Sequence, residues 1–298
     1  MVRLIVNADD YGRTPGVAAG IREAHQHGIV TSTTAMMNMS GIAQALRVAQ
    51  EECPRMGLGV HLLLTVGRPL LPAGRVDSLT DTDGAFFRPS ALSGRLATLV
   101  YGEVLAEWRA QVERFIAVTG RSPTHLDAHH HVAYWTPLLL RAMLELAHAY
   151  GCAIRLPTGA EAERVGMEML AGLVQPLCAW AGPLLDAYRP RHPDHFEASF
   201  YSAGTTREHL LHLLSHLPAG TTELMCHPGH ADAELLAGSG YNRQREVELG
   251  ILTDPVVVEQ VRKKSVELVS FDQVEGETLR ESLDSRRVSP SFDSLPGL

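Results

Sequence analysis

Arg3-Leu4-Ile5-Val6-Asn7-Ala8-Asp9-Asp10-Tyr11-Gly12 is the stretch on which the fold turns: a short apolar run that ends in two adjacent carboxylates and breaks at a glycine. Runs of the same kind recur at residues 30–37, 57–62, 123–127, 152–156, 222–226 and 266–270, with helical patterns between them. Strands that alternate with helices predict a parallel sheet. Leu105, Trp108, Val112 and Phe115 recur at helical spacing ahead of Gly120, and Thr205 with Glu208 reads as a capping box opening a leucine-rich helix. Roughly six to eight such units make either an open doubly wound sheet or a barrel. Periodicity does not separate the two. The expectation is an α/β fold of the (β/α) barrel kind, irregular or with fewer than eight regular strands. In both, ligands bind where the carboxyl ends of the strands meet the loops.

The chain has 298 residues, 45% of them hydrophobic and 20% charged, the composition of a folded globular protein. A barrel of this size needs no second domain, so one domain is expected over residues 1–275, followed by a flexible polar tail, 276–298. Net charge is -8, and Lys263 and Lys264 are the only lysines among 26 basic residues, so no basic stripe exists for a nucleic acid. Four scattered cysteines, at 53, 152, 178 and 226, and a start without signal-peptide features predict a cytoplasmic protein. Met169 to Leu185 is apolar, but Gln175, Pro176 and Pro183 interrupt it, so buried helix and loop are expected and no membrane span. Residues 66–102, rich in Gly, Pro, Asp and Ser, are long for a plain connection and read as a lid or binding loop.

Chemistry gathers at the strand ends. Asp9 and Asp10 can both reach one site where their strand breaks into a turn, one as metal ligand and one as base, although a bare Asp-Asp pair is more often a cap or turn. His125-Leu126-Asp127-Ala128-His129-His130-His131 places residues 125, 127 and 129 on one face of a strand, as a metal ligand and its orienting partner require. His61 closes Gly57-Leu58-Gly59-Val60-His61, where a lone histidine is usually a core residue. Asp10, His61 and His129 all end strands, however, so a parallel sheet delivers them to one rim. Two imidazoles and one carboxylate make an open, catalytic kind of metal site. His227, in Met225-Cys226-His227-Pro228, can protonate a leaving amine or serve as a buried structural histidine. Arg155 can orient Asp9, bind substrate or form an ordinary ion pair. His209, His212 and His216 share a helix face, but no carboxylate is evident beside them, and a solvated surface is expected there.

At these residues the chain resembles the YdjC family of carbohydrate deacetylases, which includes the bacterial chitooligosaccharide deacetylase. The matching stretches are residues 4–12, Gly28-Ile29-Val30-Thr31-Ser32-Thr33-Thr34-Ala35, Gly59-Val60-His61, residues 124–131 and Glu223-Leu224-Met225-Cys226-His227-Pro228. The resemblance implies a (β/α) barrel with a divalent ion, usually magnesium, at Asp10, His61 and His129. It also implies Asp9 as general base and His227 as general acid. Asp127, Arg155 and His125 follow as supporting or substrate-facing residues. It departs at Ala133, where family members often carry a histidine, a change expected to alter the substrate pocket. Pro193-Asp194-His195-Phe196 and Phe200-Tyr201 are expected to help shape that pocket. The implied activity is removal of the N-acetyl group from an acetylated amino sugar or short oligosaccharide. Ligand chemistry alone equally admits zinc or another transition metal, and a phosphodiesterase or other amidohydrolase; a non-catalytic sugar- or metal-binding barrel is the rival from another class. The expected partner is a small carbohydrate, with neither nucleic acid nor membrane, and a homodimer is compatible with the sequence.

Overall fold

The computed structural model describes residues 1–157, 177 and 180–275. The tail 276–298 lies outside the described residues, as do Cys178 and most of the apolar stretch from Met169; its end enters the helix Gly182–Tyr188. No helix among the described residues is long and apolar enough to cross a membrane.

The strands are β1 (Val2–Tyr11), β2 (Ser32–Ala35), β3 (Gly57–Leu62), β4 (His125–Ala128), β5 (Ala153–Ile154), β6 (His195–Glu197), β7 (Gly220–Cys226) and β8 (Glu267–Leu268). They form one parallel sheet in the order β5-β4-β3-β2-β1-β7-β6, with β8 paired to β1 at Arg3 and Leu4. Read around the ring, the order is sequential, the signature of a barrel opened between β5 and β6; a doubly wound sheet would reverse. The fold is therefore a half-barrel surrounded by helices. Across the gap, Ile154 N–H donates to the Arg191 carbonyl at 2.8 Å. Each expected run contains a strand. β6 was not legible, because three residues between Asp194 and Ala198 show no periodicity; pairing with Thr222–Leu224 of β7 makes them a strand.

β1 carries the device that aims both carboxylates. Its pairing with β2 shifts register between Ala8 and Tyr11, and Asp10 sits at φ 70°, a left-handed conformation that L-residues adopt at a cost of about 1–3 kcal/mol. Gly12 follows at φ 84°, where an added Cβ would lie 2.2 Å from Ile42 Cδ1. The break turns Asp10 toward the rim while Asp9 keeps its inward direction.

The helix Tyr101–Thr119 buries Val104, Trp108, Val112 and Phe115 and ends at Gly120, as its spacing predicts, with Leu105 only half-buried. The same face buries two polar groups. Glu107 accepts from Leu70 N and Leu71 N at 3.0 Å each, and Gln111 Oε1 accepts from Leu63 N at 2.9 Å. Buried polar groups hold only when paired, so these bonds fix the start of the 66–102 segment over the strand ends. The helix Arg207–Ser215 is capped by Thr206 rather than Thr205: Thr206 has the extended backbone that a cap needs, and its hydroxyl accepts from His209 N at 3.1 Å.

Candidate metal centre and catalytic pocket

The barrel interior is polar and layered. In the lowest layer His125 Nε2 lies 3.0 Å from Asn7 Oδ1, its ring stacks on Phe271 at 3.6 Å, and Asn7 Nδ2 donates to Asp9 Oδ1 at 2.9 Å. Gly59 makes room, since a Cβ there would lie 2.6 Å from the His125 ring. His125 is thus a fully buried support for Asn7 and does not line the pocket.

The next layer is built around Arg155, also fully buried. It donates to both Asp9 oxygens at 2.7 Å, to Glu223 Oε1 at 2.8 Å, and lies 3.1 Å from Asp127 Oδ2. It does not line the pocket, and its paired bonds to Asp9 are those of a group that orients this carboxylate. Burial pushes the Asp9 carboxyl up, but the Arg155 charge and hydrogen bonds, with His61 and His227, hold it well below the usual carboxylate range. Glu223 is pushed up to about 7 by burial, which Arg155 only partly offsets.

Above this lie Asp10, His61 and His129, all buried. Asp10 Oδ1 is 3.3 Å from His61 Nε2 and 3.0 Å from His129 Nδ1, and the two nitrogens are 3.1 Å apart. Asp10 Oδ1 nevertheless has no hydrogen-bond partner. Three potential ligand atoms in a triangle of this size fit a divalent ion whose bonds to such atoms are about 2.0–2.2 Å. The far side of two of the three is held: His61 Nδ1 donates to Asp127 Oδ1 at 2.6 Å, and Arg245 donates to Asp10 Oδ2, while His129 Nε2 has no hydrogen-bond partner among the described residues. Asp127 thus stands where a group orienting a metal-binding imidazole would stand.

Burial lowers the His61 basicity, yet Asp127, Asp10 and Asp9 more than compensate and raise its pKa to about 10. Below that pH the metal-free site holds an imidazolium, so loading it with zinc is expected to release about one proton. Calorimetry in two buffers of different ionisation enthalpy reads this; buffer-independent heats would contradict it.

His227 follows β7 directly. Its Nε2 is 3.9 Å from Asp9 Oδ2, and its Nδ1 is buried with no partner. Burial lowers its pKa to about 4 against the attraction of Asp9. The cavity above, 830 Å³, is walled on one side by Thr65 and by Arg68, Phe86 and Arg88 of the 66–102 region, and on the other by Tyr201, Tyr241 and Arg245. Asp9, Asp10, His61, His129, His131 and His227 form its floor. His130 and His131 adopt φ 54° and 56°, and Thr65 Oγ1 lies 2.9 Å from His130 Nδ1.

Of the other expected pocket residues, Tyr201 lines the wall, while Phe200 is core and Phe196 lies 5.2 Å from the Arg155 guanidinium. Ala133 is buried and not on the pocket wall, so its effect on the pocket is not direct. His209, His212 and His216 share a separate 400 Å³ groove with His195 and Glu197, and His212 and His216 are exposed, in keeping with the expected solvated helix face. Their ligand atoms do not gather as those of Asp10, His61 and His129 do. Glu223, Tyr241, Arg245 and Glu248 were missed. A carboxylate inside an apolar strand was a usable signal for Glu223; Arg245 and Glu248 sit in Asn242-Arg243-Gln244-Arg245-Glu246-Val247-Glu248, which reads as any exposed helix.

A family model described as YdjC-like protein matches residues 3–263. A carbohydrate deacetylase of Geobacillus stearothermophilus is 37% identical over 269 residues, covering 90% of this chain and 96% of the relative. A chitooligosaccharide deacetylase of Yersinia enterocolitica is 35% identical over 271 residues, with 90% and 97% covered. Among solved structures, a candidate cellobiose-phosphate cleavage protein of Enterococcus faecalis superposes with a TM-score of 0.77 at 33% identity, covering 91% of this chain and 98% of that one.

Proposed function

The chain belongs to the YdjC-like protein family, and from that premise we propose that it hydrolyses the N-acetyl group of an acetylated amino sugar or short oligosaccharide. The observation that carries this reading is the adjacency of three functions on one floor: the Asp10, His61 and His129 triangle, the Asp9 carboxylate held ionised by Arg155, and the His227 imidazole 3.9 Å from it. When bound, a divalent ion supplies Lewis acidity to the acetyl carbonyl and lowers the pKa of a water toward about 7. Asp9 accepts that water's proton. His227, neutral at pH 7, delivers a proton it has just received, and its short path to Asp9 supplies one. The unpartnered Nδ1 makes its charged form unstable and so a ready donor to the departing amine. The cavity lies at the large end of the usual range of about 300–1,000 Å³, which suits more than one sugar ring.

Acetate release is expected from N-acetylglucosamine or its short β-linked oligomers, lost on chelation and restored by magnesium, zinc or cobalt. The ligand set favours zinc, manganese, cobalt or nickel, and the family resemblance favours magnesium, so the restoring ion is itself informative. Release from none of these sugars, with turnover of phosphate esters instead, would replace deacetylation by phosphodiester chemistry. Asp9→Asn is expected to retain the metal and lower kcat by about 10²-fold or more. Full activity in that variant would remove Asp9 from the role of base.

A further inference from the structure

His227 is unusual for a proton donor in that its buried Nδ1 has no hydrogen-bond partner among the described residues. A histidine in such a role ordinarily has its second nitrogen tied to an acceptor that fixes tautomer and orientation. Here the constraint comes from elsewhere. Glu248, fully buried on the helix Arg243–Leu252, accepts from the His227 backbone N–H with one carboxylate oxygen and from the Tyr241 hydroxyl with the other. The Tyr241 ring stands edge-on to the imidazole at 5.7 Å and 68°, and Tyr201, stacked on Tyr241 at 4.4 Å, faces the same imidazole at 5.3 Å. One carboxylate therefore ties the backbone of His227 to the aromatic wall that confines its ring.

We propose that Glu248, acting through Tyr241, is the positioning residue of His227, holding the imidazole between backbone anchor and phenol rings with Nε2 toward Asp9. This rests on the reading of His227 as proton donor. Glu248 does not itself line the cavity, meets its floor only at the His227 backbone N–H, and bonds none of Asp10, His61 and His129, so its loss is expected to leave metal binding and substrate binding in place. Glutamine keeps the shape of the side chain and replaces one acceptor by an amide NH₂, which cannot receive either proton. A donor displaced by a fraction of an ångström loses much of its efficiency, about 10- to 100-fold for shifts on the order of 1 Å.

The test is a double-mutant cycle on kcat for acetate release, using zinc-loaded enzyme and N-acetylated chitooligosaccharides. Glu248→Gln is expected to lower kcat about 10-fold or more with KM and metal content unchanged. Tyr241→Phe keeps the ring and the fold, removes the hydroxyl, and is expected to lower kcat by a smaller factor. In a His227→Ala background, both substitutions are expected to have no further effect, because the group they position is gone. Effects that multiply in full with His227→Ala, or a Tyr241→Phe variant with unchanged kcat beside a Glu248→Gln change seen only in KM, overturn the proposal. If His227→Ala alone leaves kcat intact, the proton-donor reading fails first, and that result is distinct from a cycle that fails while His227→Ala is slow.

Discussion

Arg155→Met is expected to destabilise the folded protein by about 3–5 kcal/mol, the usual cost of stripping one partner from a buried ion-pair network. The guanidinium is fully buried and faces three carboxylates, of Asp9, Asp127 and Glu223, within 3.1 Å. Methionine fills similar volume but leaves those carboxylates without a counter-charge. For a chain of this size, the melting temperature is expected to fall on the order of 10 °C. The loss should depend on pH. Glu223 already has a folded pKa near 7, above its usual value, so its contribution to stability is present at low pH and is lost as pH rises through that value. Without Arg155 its folded pKa rises further, and the variant should melt closer to the parent at pH 5 than at pH 8. Thermal unfolding at both values reads this. A shift under about 2 °C at pH 8 would mean that water or neighbouring groups replace the arginine, and the layer would lose its place as the frame of Asp9.

The barrel was legible because its strands are apolar runs with helical spacing between them, a pattern set by burial on both faces. The opening between β5 and β6 was not, because closure depends on tilt and pairing, and β6 is three residues long. Within the site, legibility follows chain position. Asp9, Asp10, His61, His129 and His227 end apolar strands, where polar residues stand out against their surroundings. Asp127 was readable from its alternation with His125 and His129, but that alternation gave no height: His125 lies beneath Asn7, whereas His129 reaches the rim. Arg245 and Glu248 belong to a helix whose charges are indistinguishable by sequence from solvated ones, and only the packing of that helix across the strand ends makes one a partner of Asp10 and the other of His227. The 66–102 segment was recognisable by length as more than a plain connection, and part of it lines the cavity, while its anchors, Glu107 and Gln111, were hidden in an amphipathic helix as two polar residues on the apolar face.

His129→Ala is expected to abolish stable metal binding and to lower kcat/KM for acetate release by about 10³-fold or more, given that Lewis-acid stabilisation of the transition state is worth several kcal/mol. The geometry makes this substitution cleaner than its neighbours. His61→Ala would leave Asp127 buried without its imidazole partner, and Asp10→Ala would leave the Arg245 guanidinium without its carboxylate. His129 contributes Nδ1 to the triangle, and its Nε2 has no hydrogen-bond partner to lose. The variant should therefore fold with little change in melting temperature while its calorimetric zinc isotherm flattens. Asp9, Arg155 and His227 remain in place, so any residual turnover measures what base, orienting cation and proton donor achieve without the ion. Undiminished activity in a variant shown to be metal-free would separate the reaction from the triangle and require the carbonyl to be polarised by protein groups, with Arg13, Arg68, Arg88 and Arg245 the arginines that line the pocket.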